Sequence, residues 1–119
     1  MNRQLILFML LIIVISGCSN GTKDDTASFT LKSAITAFQN EGCTIDLNQK
    51  PLYEFVNAQD GVFFYLDDEL VKLYEFESEE AYVQGIEDLS IIETFPKREL
   101  VVIETNSPKA IDIFKTATE

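Results

Sequence analysis

Histidine is missing from all 119 residues, so any chemistry must come from carboxylates, hydroxyls, lysines and two thiols. Its absence removes the commonest general base and the commonest transition-metal ligand together. A nucleophile would have to be Cys43 or a hydroxyl activated by lysine. Neither Gly-x-Ser-x-Gly nor Ser-x-x-Lys, spacings that present an activated serine, occurs in the chain. Cys43 follows the end of an expected helix, where the negative end of the dipole raises a thiol pKa, and no histidine can take its proton. It reads as a small core-facing residue. Paired carboxylates could hydrolyse a glycoside, but a domain this small rarely encloses a sugar cleft. Asp67, Asp68 and Glu69, followed by Glu75, Glu77, Glu79 and Glu80, offer the oxygen ligands that calcium takes. Their spacing matches no Asp-x-Asp-x-Asp-Gly loop, and a solvated turn accounts for them better. The expectation is a protein that is not an enzyme, with no catalytic residue, no metal site and no cofactor.

A binding surface is the other kind of chemistry, and here aromatics carry the signal. Phe63 and Tyr65 share one face of an expected strand, and Tyr74 and Phe76 share one face of the next. Paired in a suitable register, Phe63, Tyr65, Tyr74 and Phe76 would form a four-aromatic platform. Val62, Phe64 and Leu66, with Val71 and Leu73, would lie on the opposite side. Both sides of these strands are apolar, whereas a half-exposed sheet alternates apolar and polar. Either helices cover both faces, or the aromatics form an exposed patch for a protein or an envelope polymer.

Positioning those residues takes a compact domain, and the first eighteen residues say where that domain is held. Met1-Asn2-Arg3-Gln4 is a polar head with one positive side chain, and Leu5 to Ile15 is an unbroken apolar run. A membrane-spanning helix needs about 20 apolar residues, so this run is too short to be a permanent anchor and fits the core of an export signal. It closes with Ile15-Ser16-Gly17-Cys18. That ending resembles the lipobox of bacterial lipoproteins, which implies cleavage between Gly17 and Cys18 and lipidation of Cys18. Residues 1–17 are then a signal peptide, residues 18–27 a lipidated cysteine and flexible polar tether, and residues 28–119 one domain.

The chain carries 9 Lys+Arg against 20 Asp+Glu. Losing Arg3 with the signal takes the formal charge from −11 to −12. Such a balance disfavours nucleic acid and anionic lipid surfaces as partners, since both reward basic patches. With Cys18 consumed by lipid, Cys43 has no partner for an intramolecular disulfide, and the core must supply the stability.

Ser28 is a plausible N-cap for a helix through Glu41, with Leu31, Ala34, Ile35 and Phe38 as its apolar stripe and Gly42 as its left-handed stop. Cys43 to Asp46 reads as a weak edge strand. Pro51 could open a short helical turn through Val56. Asp60-Gly61 then leads into a hairpin, Val62–Leu66 and Leu70–Phe76 around Asp67-Asp68-Glu69, since aspartate tolerates unusual backbone angles at the tip. Ser78 caps a second helix with Glu79 and Glu80 in its first turn, and Tyr82, Gly85, Ile86 and Leu89 as its buried stripe. A connection through Arg98 reaches a strand at Leu100–Thr105, and Ser107-Pro108 starts a last helix with Ile111, Phe114 and Ala117 inward. The order predicts an α+β fold: a small, largely antiparallel sheet of three to four strands with about three helices.

With these elements placed, the chain resembles a group of small, uncharacterised lipoproteins of Gram-positive bacteria. The likeness lies in the lipobox at Cys18, the polar tether, Asp60-Gly61-Val62-Phe63-Phe64-Tyr65, Val71-Lys72-Leu73-Tyr74-Glu75-Phe76, and Pro96-Lys97-Arg98-Glu99-Leu100-Val101-Val102. It implies location and architecture and brings no chemistry. The expected function is a lipid-anchored binding or accessory module on the extracytoplasmic face of the membrane, contacting an envelope protein or polymer. The alternative is a tethered carboxylate enzyme or weak cation-binding domain.

Overall fold

The computed structural model describes residues 29–118. The expected signal peptide, Cys18, the tether and the Ser28 cap lie outside the described residues. Helix α1 spans Leu31–Asn40, and its N-cap is Thr30. Thr30 Oγ1 accepts from Ser33 N–H at 3.2 Å while Ser33 Oγ accepts from Thr30 N–H at 3.0 Å, a reciprocal capping box. Two carboxylates hold the entry: Phe29 N–H donates to Glu99 at 3.1 Å, and Leu31 N–H donates to Glu75 at 3.0 Å. The helix therefore starts two residues later than a Ser28 cap would set it. Gly42, at φ +97°, stops it as expected. Its N–H donates to Gln39 O and that of Cys43 to Phe38 O, a Schellman closure.

Residues 43–46 form no strand, correcting the expected edge strand. That stretch turns at Asp46 instead, whose carboxylate accepts from Asn48 N–H at 2.9 Å. A first 3₁₀ turn spans Tyr53–Val56. Strands β1 (Asp60–Leu66) and β2 (Glu69–Glu75) then pair antiparallel, with Leu66 opposite Glu69. Asp67 and Asp68 at the tip hold φ of +52° and +69°, the angles of a type I′ turn.

Helix α2 (Glu79–Asp88) is capped by Ser78, whose hydroxyl accepts from Ala81 N–H at 3.1 Å. Its interior contains Gly85 because a Cβ there would overlap the carbonyl oxygen of Val56. Leu89 is exposed and leaves the stripe assigned to it, because the chain turns extended there. A second 3₁₀ turn (Ser90–Thr94) buries Ile92 in its place. Strands β3 (Lys97–Arg98) and β4 (Val101–Thr105) and helix α3 (Pro108–Thr116) complete the described chain. Ser107 caps α3 through Ala110 N–H at 3.0 Å. Ala110 and Phe114 are its buried residues, and Ile111 is only half-buried.

The four strands form one antiparallel sheet in the order β1-β2-β4-β3, an α+β fold. One face carries Val62, Phe64, Leu66, Val71, Leu73, Val101 and Ile103, which pack under α1 and α3 through Leu31, Ala34, Phe38 and Phe114. The other face has a smaller core, where Tyr74, Phe76 and Val102 meet Val56, Ala58 and Ile92. Tyr82 closes it edge-on to Phe76 at 5.3 Å, with Lys97 Nζ 4.8 Å above the Tyr82 ring. This second layer covers only part of its face.

Candidate functional site

The uncovered part of that second face is the candidate site. Register places Phe63 opposite Lys72, Tyr65 opposite Leu70, and Gly61 opposite Tyr74, so all of these share one side of the sheet. The strand alternation thus puts the expected aromatics on a common face, but they do not form one exposed platform. Tyr74 and Phe76 are buried, 5% and 1% exposed, because α2 and the two 3₁₀ turns sit over them. Tyr65 is 60% exposed and Phe63 is half-buried. Correcting the four-residue face leaves Phe63 and Tyr65, joined by Leu70 and Lys72.

A polar seam marks the border between the covered and open halves. Tyr74 donates its hydroxyl to Glu104 at 2.8 Å, and Lys72 Nζ lies 4.0 Å from the same carboxylate. Burial pushes the Tyr74 phenol upward from its ordinary value, and the hydrogen bond and charge of Glu104 add to it. The phenol therefore stays neutral and serves as a fixed donor.

Leu52 and Phe55 project from the first 3₁₀ turn and the residue before it, near the Gly61 end of β1, and the sequence reading did not single them out. Both are large and apolar, yet 71% and 72% exposed. A Cβ on Gly61 would fall 3.1 Å from Pro51 Cγ, so Pro51 lies over the same face, two residues below Phe63 along β1. In the 3₁₀ turn that follows, side chains three apart eclipse. Tyr53 and Val56 take the inward row, which leaves Leu52 and Phe55 the outward one. That spacing of three was the available signal.

Along the outer edge of β1 the open half continues into a groove of about 510 Å³, walled by Phe63–Asp67 on one side and Glu41–Thr44, Asp46 and Gln49 on the other. Cys43 is half-buried against the main core. Burial pushes its thiol up, Asp67 and Glu41 add to the rise, and Lys109 opposes it. A thiol so held is a poor nucleophile near neutral pH. Asp67 and Asp68 occupy the tip for backbone reasons, and Asp67 pairs with Lys109 at 3.3 Å. Among the described residues, no group of three or more acidic or sulfur side chains could hold a metal ion. No helix among them is long and apolar enough to cross a membrane.

The chain enters the described fold at the end of the sheet opposite Tyr65 and the hairpin tip. Phe29 is buried at the lower end of the sheet, edge-on to Phe114 at 5.7 Å and 3.8 Å beneath the Arg98 guanidinium. Arg98 also donates to the carbonyls of Phe114 and Ala117, at 2.9 and 2.7 Å, closing the C-terminal end of α3. Tyr65 and the hairpin tip lie at the opposite end of the strands, about 20 Å away at roughly 3.3 Å per residue.

Comparison with protein-family models, with curated proteins and with solved structures gives no match. The functional reading therefore rests on the residues and their geometry.

Proposed function

We propose that this chain is a non-catalytic binding module of the bacterial cell envelope, anchored to the extracytoplasmic face of the membrane by lipid on Cys18. It contacts an envelope protein or polymer through the open half of its sheet. The observation that carries the reading is that uncovered half-face, where Tyr65 and Leu70 lie exposed beside half-buried Phe63, while Leu52 and Phe55 project from the turn that follows Pro51 near Gly61. Exposed apolar surface on a small, highly charged domain marks interaction. Placement supports it too: Phe29, where the described chain begins, lies at the lower end of the sheet, while Tyr65 lies toward the hairpin tip at the other. A net charge of −12 after removal of the signal helps hold the domain off anionic lipid.

The experiment is a pull-down from native membranes with the full-length protein and with Phe55→Ser and Tyr65→Ser. Each variant is expected to stay folded and membrane-bound while its captured partner falls at least fivefold. Unchanged capture by both variants would remove the open half-face as the binding surface.

A further inference from the structure

Strand β1 lies at the sheet edge, and only part of its outer side is used. In a two-residue I′ hairpin the pair that closes the turn, Leu66 with Glu69, is the hydrogen-bonded kind. Leu66, Phe64 and Val62 therefore bond inward to β2, and Gly61, Phe63 and Tyr65 turn their N–H and C=O groups outward. Gly61 N–H donates to Asp60 at 2.7 Å, and its carbonyl accepts from Lys50 Nζ at 3.3 Å. Phe63 N–H donates to Gln49 O at 3.0 Å, so the chain itself already lays a backbone carbonyl on this edge. At Tyr65 no further backbone hydrogen bond is made among the described residues. There the groove opens along Phe63–Asp67. Natural edges are usually blunted by lysine, proline or a bulge, and Phe63-Phe64-Tyr65-Leu66 has neither of those residues and pairs without a bulge.

We propose that this groove receives an extended basic segment of a partner protein, which adds to β1 as a further strand beside Tyr65. The proposal rests on the binding-module reading and specifies how the module binds. With Phe63 N–H taken by Gln49 and Asp67 in the turn, the open stretch centres on Tyr65 and offers one pair of outward backbone groups, enough to pair with about three residues of the segment. Main-chain hydrogen bonds supply the common part of such recognition, and alternate side chains supply the selectivity. Charge selects the occupant. Glu41, Asp46 and Asp67 line the groove against Lys109 alone, and Lys109 is already paired with Asp67. A second copy of this chain would bring the two sets of acids together across the new pair. A segment alternating basic and apolar residues fits instead, its basic side chains toward those acids and its apolar ones over Phe63 and Tyr65.

The test uses the full chain in nonionic detergent, with two synthetic octapeptides as probes, one alternating Lys and Val and the other Glu and Val. Hydrogen exchange at the Tyr65 amide is expected to slow at least tenfold with the Lys–Val peptide and to stay unchanged with the Glu–Val peptide. Tyr65→Pro removes an outward N–H, which an edge strand tolerates, together with the ring, and should weaken Lys–Val binding at least tenfold. Tyr65→Ala, like Tyr65→Ser, keeps that N–H and loses only the ring, and should weaken it clearly less than Tyr65→Pro does. An unprotected Tyr65 amide at peptide saturation overturns strand addition, as do equal binding of the two peptides and equal losses in the two variants. A concentration-dependent dimer that protects the same amide overturns the basic occupant in favour of a second copy. The exchange readout is taken on the unaltered chain, so it stands even where Tyr65→Pro misfolds. If strand addition fails while Phe55→Ser and Tyr65→Ser still lose the native partner, the binding module stands and only its mode is wrong.

Discussion

Phe76→Ala is expected to cost about 3–5 kcal/mol of folding stability, as deletion of a buried aromatic typically does, whereas Tyr65→Ser should stay within about 0.5 kcal/mol. The two residues lie on the same side of one hairpin, and only the layer above them differs. Phe76 sits 1% exposed beneath α2, edge-on to Tyr82, with its N–H donated to Leu100 O at 2.8 Å. Losing its ring opens the smaller core, where few other residues can move in to fill the space. A domain of this size has roughly 5–13 kcal/mol to lose, so the variant should unfold at much lower urea or fail to accumulate. Tyr65 is 60% exposed, and its hydroxyl makes no hydrogen bond within the described fold. Urea unfolding of both variants measures the contrast. Similar losses in the two would mean that the open half of the sheet is covered after all.

The second large effect belongs to Cys18. If this residue carries the lipid, Cys18→Ala should abolish acyl labelling and leave the chain either uncleaved or released from the membrane fraction. One acyl chain anchors only marginally, while two or more hold stably at about 0.8 kcal/mol per buried CH₂. Removal of the attachment residue should therefore shift the distribution almost completely. Fractionation with intact-mass analysis reads both processing and labelling. Normal membrane retention and unchanged processing of Cys18→Ala would refute the anchor.

Local chemistry made most of the architecture legible in the sequence. Gly42, Ser78 and Ser107-Pro108 each act within one turn of backbone, and each ends or starts its helix where expected. Asp67-Asp68 does the same for the hairpin. What the sequence did not reveal depended on residues far apart along the chain. Thr30 rather than Ser28 caps α1, in part because Glu75 and Glu99 reach its first N–H groups from the sheet. Residues 43–46 alternate weakly like a strand but stay irregular, since the β1 edge is met by Gln49 instead. Strand periodicity correctly placed Phe63, Tyr65 and Tyr74 on one face. It carried no information on which end of that face α2 would cover, because that follows from Gly85 letting the helix rest against Val56. Exposure of the four aromatics was therefore undecided in sequence, and half of the expected platform became core.

The account stands or falls on whether the open half-face meets a partner in the envelope. Site-specific photocrosslinking in native membranes measures this directly, with a photoreactive side chain placed at position 55, at position 65, or at exposed Asp112 on α3. The expected result is a discrete adduct from positions 55 and 65 and none from 112. Adducts of equal yield from all three positions, or none from 55 and 65, would contradict the account.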